Sequence, residues 1–135
     1  MSSKQFKVLV VEDEEATRVA LAELLQCDGF EVMTARDGEE GYRQALLYEP
    51  DVIITDLIMP VLDGMELSRL IRRQHGRVRT VPILALSANL AEYSLSSRMS
   101  SGINRFVTKP ISDYRGLVST IKSLLETPAD TTPVV

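Results

Sequence analysis

The pair Glu12 and Asp13, Asp56, Ser87 and Lys109 lie far apart in the chain, yet each closes or follows a short apolar run. The runs are "FKVLVV" (6–11), "DVIIT" (51–55), "VPILALS" (81–87) and "NRFVT" (104–108). If these are strands of one parallel sheet, the five side chains meet beyond its carboxyl edge, where open α/β sheets bind their ligands. Three carboxylates within a few ångströms repel and raise one another's pKa. A carboxylate removed from water also needs a partner. Lys109 supplies one positive charge, and a hard divalent cation is the natural second. Mg²⁺ takes one or two carboxylates, keeps several waters and completes its shell with phosphate oxygens.

The elements that must position these residues are legible in the hydrophobic pattern. A further apolar run, "EVMTA" (31–35), brings the strands to five. The third and fourth runs, 51–55 and 81–87, are continuously apolar, as strands buried on both faces should be. Between them lie segments with helical spacing: Ala20, Leu21, Leu24 and Leu25; Tyr42, Ala45 and Leu46; Leu67, Leu70 and Ile71; and Leu117, Val118, Ile121, Leu124 and Leu125. Gly29 marks the end of the first helix, and Asp63, three residues before Glu66, the start of the third. The fourth helix is weak: five serines fall within 94–101, and serine competes for backbone hydrogen bonds. A (βα)₅ alternation of this kind predicts an α/β fold, a parallel sheet with helices on both sides. One domain is expected over 1–125, with 126–135 a linker-like or frayed tail containing two prolines.

Composition narrows the function classes. Hydrophobic residues are 44% and charged residues 25% of the 135, the profile of a soluble globular protein. No apolar run approaches the ~18 residues of a membrane span, and the amino terminus lacks a secretory core. The single cysteine, Cys27, fits a reducing compartment; cytoplasmic localisation is expected, and Cys27 is read as an inert, partly buried thiol. A net charge of −4 and a pI near 5.0 argue against direct nucleic-acid or membrane binding. The one basic cluster, Arg69, Arg72, Arg73, Arg77 and Arg79, reads as a helix end and its loop.

Four stretches, "VLVVEDE", "ITDLIMPVLDG", "ALSA" and "FVTKP", stand in this order and spacing. Together they resemble the receiver domain of two-component response regulators, over roughly residues 7–125. The resemblance implies a doubly wound, flavodoxin-like fold with strand order 2-1-3-4-5. It makes Asp56 the phosphoacceptor, taking a phosphoryl group from phosphohistidine. Asp13 and Glu12, with Asp56 and the backbone carbonyl of Ile58, would hold Mg²⁺. Lys109 and Ser87 would hold phosphoryl oxygens, the Lys109–Pro110 bond would be cis, and Ser87 with Phe106 would relay the switch to the face of the fourth helix, fifth strand and fifth helix. The implied partners are a sensor histidine kinase or histidine phosphotransfer protein, an output domain or downstream protein, and a homodimer formed on phosphorylation. The protein would be no enzyme beyond catalysing its own phosphorylation and dephosphorylation.

The chemistry agrees on its own terms: phosphoryl transfer needs an in-line nucleophile and neutralised equatorial oxygens, not an acid or base catalyst. Three details depart from the commonest family pattern: Glu12 in place of aspartate, Ser87 in place of threonine, and Phe106 in place of tyrosine. Phe106 is open to two readings, core filler or rotamer switch, and His75 reads as a solvated loop histidine. A haloacid-dehalogenase-like phosphatase would need a second aspartate where Ile58 stands. A dinucleotide module would need a glycine-rich first turn, where "VEDEEAT" is acidic. A receiver-like module that docks proteins without phosphorylation is the remaining alternative.

Overall fold

The computed structural model describes residues 5–126. Five strands, β1 (Lys7–Val11), β2 (Glu31–Ala35), β3 (Val52–Asp56), β4 (Ile83–Ser87) and β5 (Arg105–Thr108), form one parallel sheet in the order β2-β1-β3-β4-β5. Five helices connect them: α1 (Glu15–Cys27), α2 (Gly38–Tyr48), α3 (Gly64–Arg72), α4 (Leu95–Ser100) and α5 (Tyr114–Glu126). This is the doubly wound, flavodoxin-like fold. The expected tail lies outside the described residues, apart from Glu126, which closes α5.

Alternation along the strands divides the core into two layers. Leu9, Ile53, Ile83 and Ala85 pack on one side with Leu67 and Ile71 of α3. Val8, Val10, Ile54, Leu84 and Leu86 pack on the other with Leu21 and Leu25 of α1 and Leu117 and Ile121 of α5. Each fully buried aliphatic side chain contributes about 1.5–3 kcal/mol, so the sheet is held rigidly from both faces. β3 and β4 are buried throughout.

Helix starts follow the sequence signals. Asp63 and Glu66 form a reciprocal capping box at α3, with Glu66 N–H donating to Asp63 Oδ1 at 2.8 Å and Asp63 N–H to Glu66 Oε1 at 3.2 Å. Gly29, at φ 94°, takes the left-handed conformation after α1. α4 has only six residues, none of them buried.

Several expectations need correction. β1, β4 and β5 begin at Lys7, Ile83 and Arg105 rather than at 6, 81 and 104, and Ala20 of α1 is exposed. β3 spans Val52–Asp56 rather than 51–55, because the Asp51 side chain accepts Lys7 N–H at 2.7 Å and pairs with Arg77 at 2.7 Å instead of extending the strand. The buried side of α2 is Gly38, Gly41 and Ala45, not Leu46, which is 39% exposed. Glycine is needed there because a β-carbon on Gly41 would stand 2.9 Å from Val11 Cγ2. Cys27 is exposed rather than partly buried, since the inward stripe of α1 runs through Leu21 and Leu25.

The basic cluster divides into separate roles. The Arg72 guanidinium spends five donor interactions on neutral acceptors: Nε and Nη2 on Gly102 O at 3.0 and 2.7 Å, Nη1 on Arg79 O and Val81 O at 2.7 Å each, and Nη2 on Asn104 Oδ1 at 3.0 Å. Burial pulls its pKa down to about 10, which leaves it charged at neutral pH. Ser68 Oγ adds a hydrogen bond to Ser101 O at 2.7 Å. α3 therefore ties the carboxyl end of α4 to the entry of β4 and β5.

Candidate functional site

Backbone hydrogen bonds carry the sheet one residue past β1 and β5. Glu12 N–H donates to Ala35 O at 3.0 Å, and Lys109 N–H to Ser87 O at 2.8 Å. Glu12 and Lys109 thus start from fixed positions at the carboxyl edge, beside Asp56 at the end of β3. The Lys109–Pro110 bond is cis. Lys109 Nζ lies 3.0 Å from Glu12 Oε1 and 3.0 Å from Asp56 Oδ2, bridging two strand ends.

Glu12 is 1% exposed and Asp56 8%. Burial raises the Glu12 pKa above the ordinary carboxylate value, outweighing hydrogen bonds from Lys109 and from Glu14 N–H at 3.1 Å; the Asp56 charge raises it further. For Lys109, burial works to lower the pKa, but the hydrogen bonds and charges of Glu12 and Asp56 prevail and raise it. The ammonium is firmly protonated. Glu12, Asp13 and Asp56 present carboxylate oxygens all within 4.8 Å of one another, with Asp13 exposed at the mouth. One ammonium faces three carboxylates, a donor set of hard oxygens with charge to spare, which suits Mg²⁺.

The structure brings together the expected carboxylates and lysine. Ser87, 1% exposed, sits at the end of β4 next to β3, and its Oγ accepts Asn89 N–H at 3.2 Å. Ile58 follows Asp56 by two residues with its side chain exposed. Phe106 is half-buried on β5 and packs against the α3-side core, as do Leu90 and Tyr93. His75 is exposed between α3 and a 3₁₀ turn at Arg77–Thr80, as expected.

Three contributors escaped sequence reasoning. Arg18, on the first turns of α1, donates to Glu12 O at 3.0 Å and Asp13 O at 3.5 Å, holding the acidic loop with a cation; its spacing from Glu14 was the available signal. Gly64 lets the β3–α3 loop close, because a β-carbon there would overlap the Asp56 carbonyl oxygen, and its N–H donates to Leu57 O at 2.9 Å. The Tyr93 phenol has a raised pKa, from burial first and then from the charges of Asp63, Glu92 and Asp56, so it stands neutral near the site. Nothing in its local sequence marks it.

Comparison with known proteins agrees with this arrangement. The response regulator receiver domain family matches residues 8–122. The chain belongs to that family. This receiver domain is 36% identical over 119 residues to the alkaline phosphatase synthesis transcriptional regulatory protein PhoP of Bacillus subtilis, covering 88% of the chain and 48% of that protein. It is 32% identical over 109 residues to the CAI-1 autoinducer sensor kinase/phosphatase CqsS of Vibrio cholerae, covering 81% of the chain and 16% of that protein. The chain thus spans half or less of these relatives. Among solved structures it resembles the chemotaxis response regulator CheY4 of Vibrio cholerae, with TM-score 0.81 and 31% identity over 90% of this chain and 99% of that one. It also resembles the receiver domain of the sensor histidine kinase PA1611 of Pseudomonas aeruginosa, with TM-score 0.83 and 29% identity over 92% of this chain and all of that one. That structure has a magnesium ion coordinated in its active site cleft. As a receiver domain of two-component systems the chain is a signalling module rather than a conventional enzyme. No helix among the described residues is long and apolar enough to cross a membrane.

Proposed function

We propose that Asp56 accepts a phosphoryl group from a phosphohistidine donor, a sensor histidine kinase or histidine phosphotransfer protein. The observation that carries this reading is the Lys109 ammonium, 3.0 Å from both Asp56 Oδ2 and Glu12 Oε1. A carboxylate oxygen of Asp56 attacks phosphorus as the phosphorus–nitrogen bond breaks. The imidazole leaves with the bonding electron pair and takes up a proton from solvent. Asp56 is nucleophilic as the carboxylate, so no base is required. Lys109 and the Ser87 hydroxyl hold phosphoryl oxygens in this scheme, which fits electrostatic stabilisation of an in-line transfer.

Glu12, Asp13, Asp56 and the Ile58 carbonyl are the residues that would hold Mg²⁺. When bound, the cation supplies the positive charge that the three carboxylates lack and that the phosphoryl oxygens require. Transfer to and hydrolysis from Asp56 are then the only reactions the domain promotes. The phosphorylated state is read on the face of α4, β5 and α5, by an output domain, a downstream protein or a second copy of the chain. Tyr114, exposed at the start of α5, belongs to that face.

The test is incubation with acetyl phosphate, with and without Mg²⁺, followed by intact mass measurement. Wild type should gain one phosphate only with the metal, and Asp56→Asn, isosteric but a poor nucleophile, should gain none. Equal labelling of the mutant would reject the acceptor. A wild type that never labels would favour a docking module that works without phosphorylation.

A further inference from the structure

A groove of about 410 Å³ opens between α3 and the carboxyl end of α4, away from the strand-end site. It is lined by Arg69, Arg72, Arg73, Met99, Ser100 and Gly102. No carboxylate lines it, in a chain whose net charge is −4. Arg72 forms part of its wall, and its guanidinium donates only to carbonyl and amide oxygens, so its charge has no anionic partner among the described residues. The side chains of Arg69, on α3, and Arg73, its C-cap one turn later, make no hydrogen bond or ion pair among the described residues. Arg77, by contrast, is consumed by Asp51.

The chemistry of the opposite wall narrows the partner. Met99 is 46% exposed, and Leu95, one turn earlier on the same side of α4, is 49% exposed. A basic ridge on α3 thus runs beside an apolar ridge on α4. Free phosphate would use only the first. Guanidinium forks match carboxylates with two parallel hydrogen bonds, and residues spaced i and i+4 on a helix match the Arg69–Arg73 spacing.

We infer that the α3–α4 groove docks an acidic amphipathic helix of a partner protein. Its carboxylates pair with Arg69 and Arg73, and its apolar flank covers Met99 and Leu95. This surface is distinct from the site around Asp56, and the inference stands whether or not Asp56 is the acceptor.

The test uses the full chain and a labelled synthetic amphipathic helix with glutamates at i and i+4 on one flank and leucines on the adjoining flank. Anisotropy should show binding that weakens with salt and falls about tenfold or more in Arg69→Ser with Arg73→Ser. The equally charged control, Arg36→Ser with Arg43→Ser, should bind like wild type. Amide shifts on titration should centre on residues 69–73 and 95–102. Absence of binding, equal affinity in the double variant, or shifts centred elsewhere would overturn the inference. So would a single-stranded oligonucleotide that binds as tightly with the same arginine dependence, since the groove would then read phosphates.

Discussion

Gly64 stands so close to Asp56 that any β-carbon at position 64 would overlap the Asp56 carbonyl oxygen. The start of α3 is packed directly on the backbone at the end of β3. Gly64→Ala must push the loop outward. The expected outcome is a loss of about 1–3 kcal/mol in stability, together with slower labelling of Asp56 by acetyl phosphate. Chemical denaturation and time-resolved intact mass measurement check the two effects separately.

Three carboxylates cluster at the strand ends, and one ammonium pairs with two of them, Glu12 and Asp56. In EDTA, Asp56→Asn removes one negative charge while its amide oxygen still accepts from Lys109. Relief of repulsion with Glu12 and Asp13 should therefore raise stability by about 1 kcal/mol at low salt. Added Mg²⁺ should narrow or reverse the difference, because wild type keeps the better set of ligands. A mutant that melts below wild type in EDTA would count against the charge argument.

Arg72 joins α3 to Gly102, Arg79, Val81 and Asn104. Arg72→Met keeps the stem but strands these acceptors, and the expected loss is about 2–4 kcal/mol. Arg72→Lys should restore little of it, since one ammonium cannot span acceptors spread around a planar fork. Urea denaturation of the three proteins decides this.

Tyr48 donates to Glu31 Oε2 at 2.9 Å. Its pKa is raised above the ordinary 10.0 by burial first, then by that hydrogen bond and the charges of Glu31 and Asp51. Above pH 10 the unfolded phenol loses its proton while the folded one keeps it. The folded state then binds more protons, so stability falls as pH rises through that region. Tyr93 acts in the same direction. Tyr48→Phe should reduce the alkaline loss without abolishing it, as measured by denaturation at pH 8.5 and at about pH 11.

α4 is the element with least to hold it: six residues, none buried, fixed at its carboxyl end by Ser68 and Arg72. Beryllofluoride with Mg²⁺ should change amide exchange most in residues 90–101 and at Phe106, and little around Tyr42 on α2. Uniform protection of all five helices would mean that this face is not where the state of Asp56 is read.

Sequence alone determined the alternation of strands and helices, the Asp63–Glu66 cap, the turn at Gly29 and which charged residues close the apolar runs. These are local signals: a hydrophobic period, a capping pair, a glycine where the backbone turns left-handed, and charged residues at the ends of apolar runs. Tertiary structure decided what depends on residues distant in the chain. It put Lys109 between Glu12 and Asp56, 97 and 53 residues away. It turned the Leu46 side of α2 outward because Gly38 and Gly41 allow close approach to the Leu62 loop and Val11. It divided one run of arginines into a structural clamp at Arg72, an ion pair at Arg77 and, at Arg69 and Arg73, side chains with no partner among the described residues. A sequence pattern reports which side chains favour burial or charge; which partner each one meets is set by how the helices settle on the two faces of the sheet.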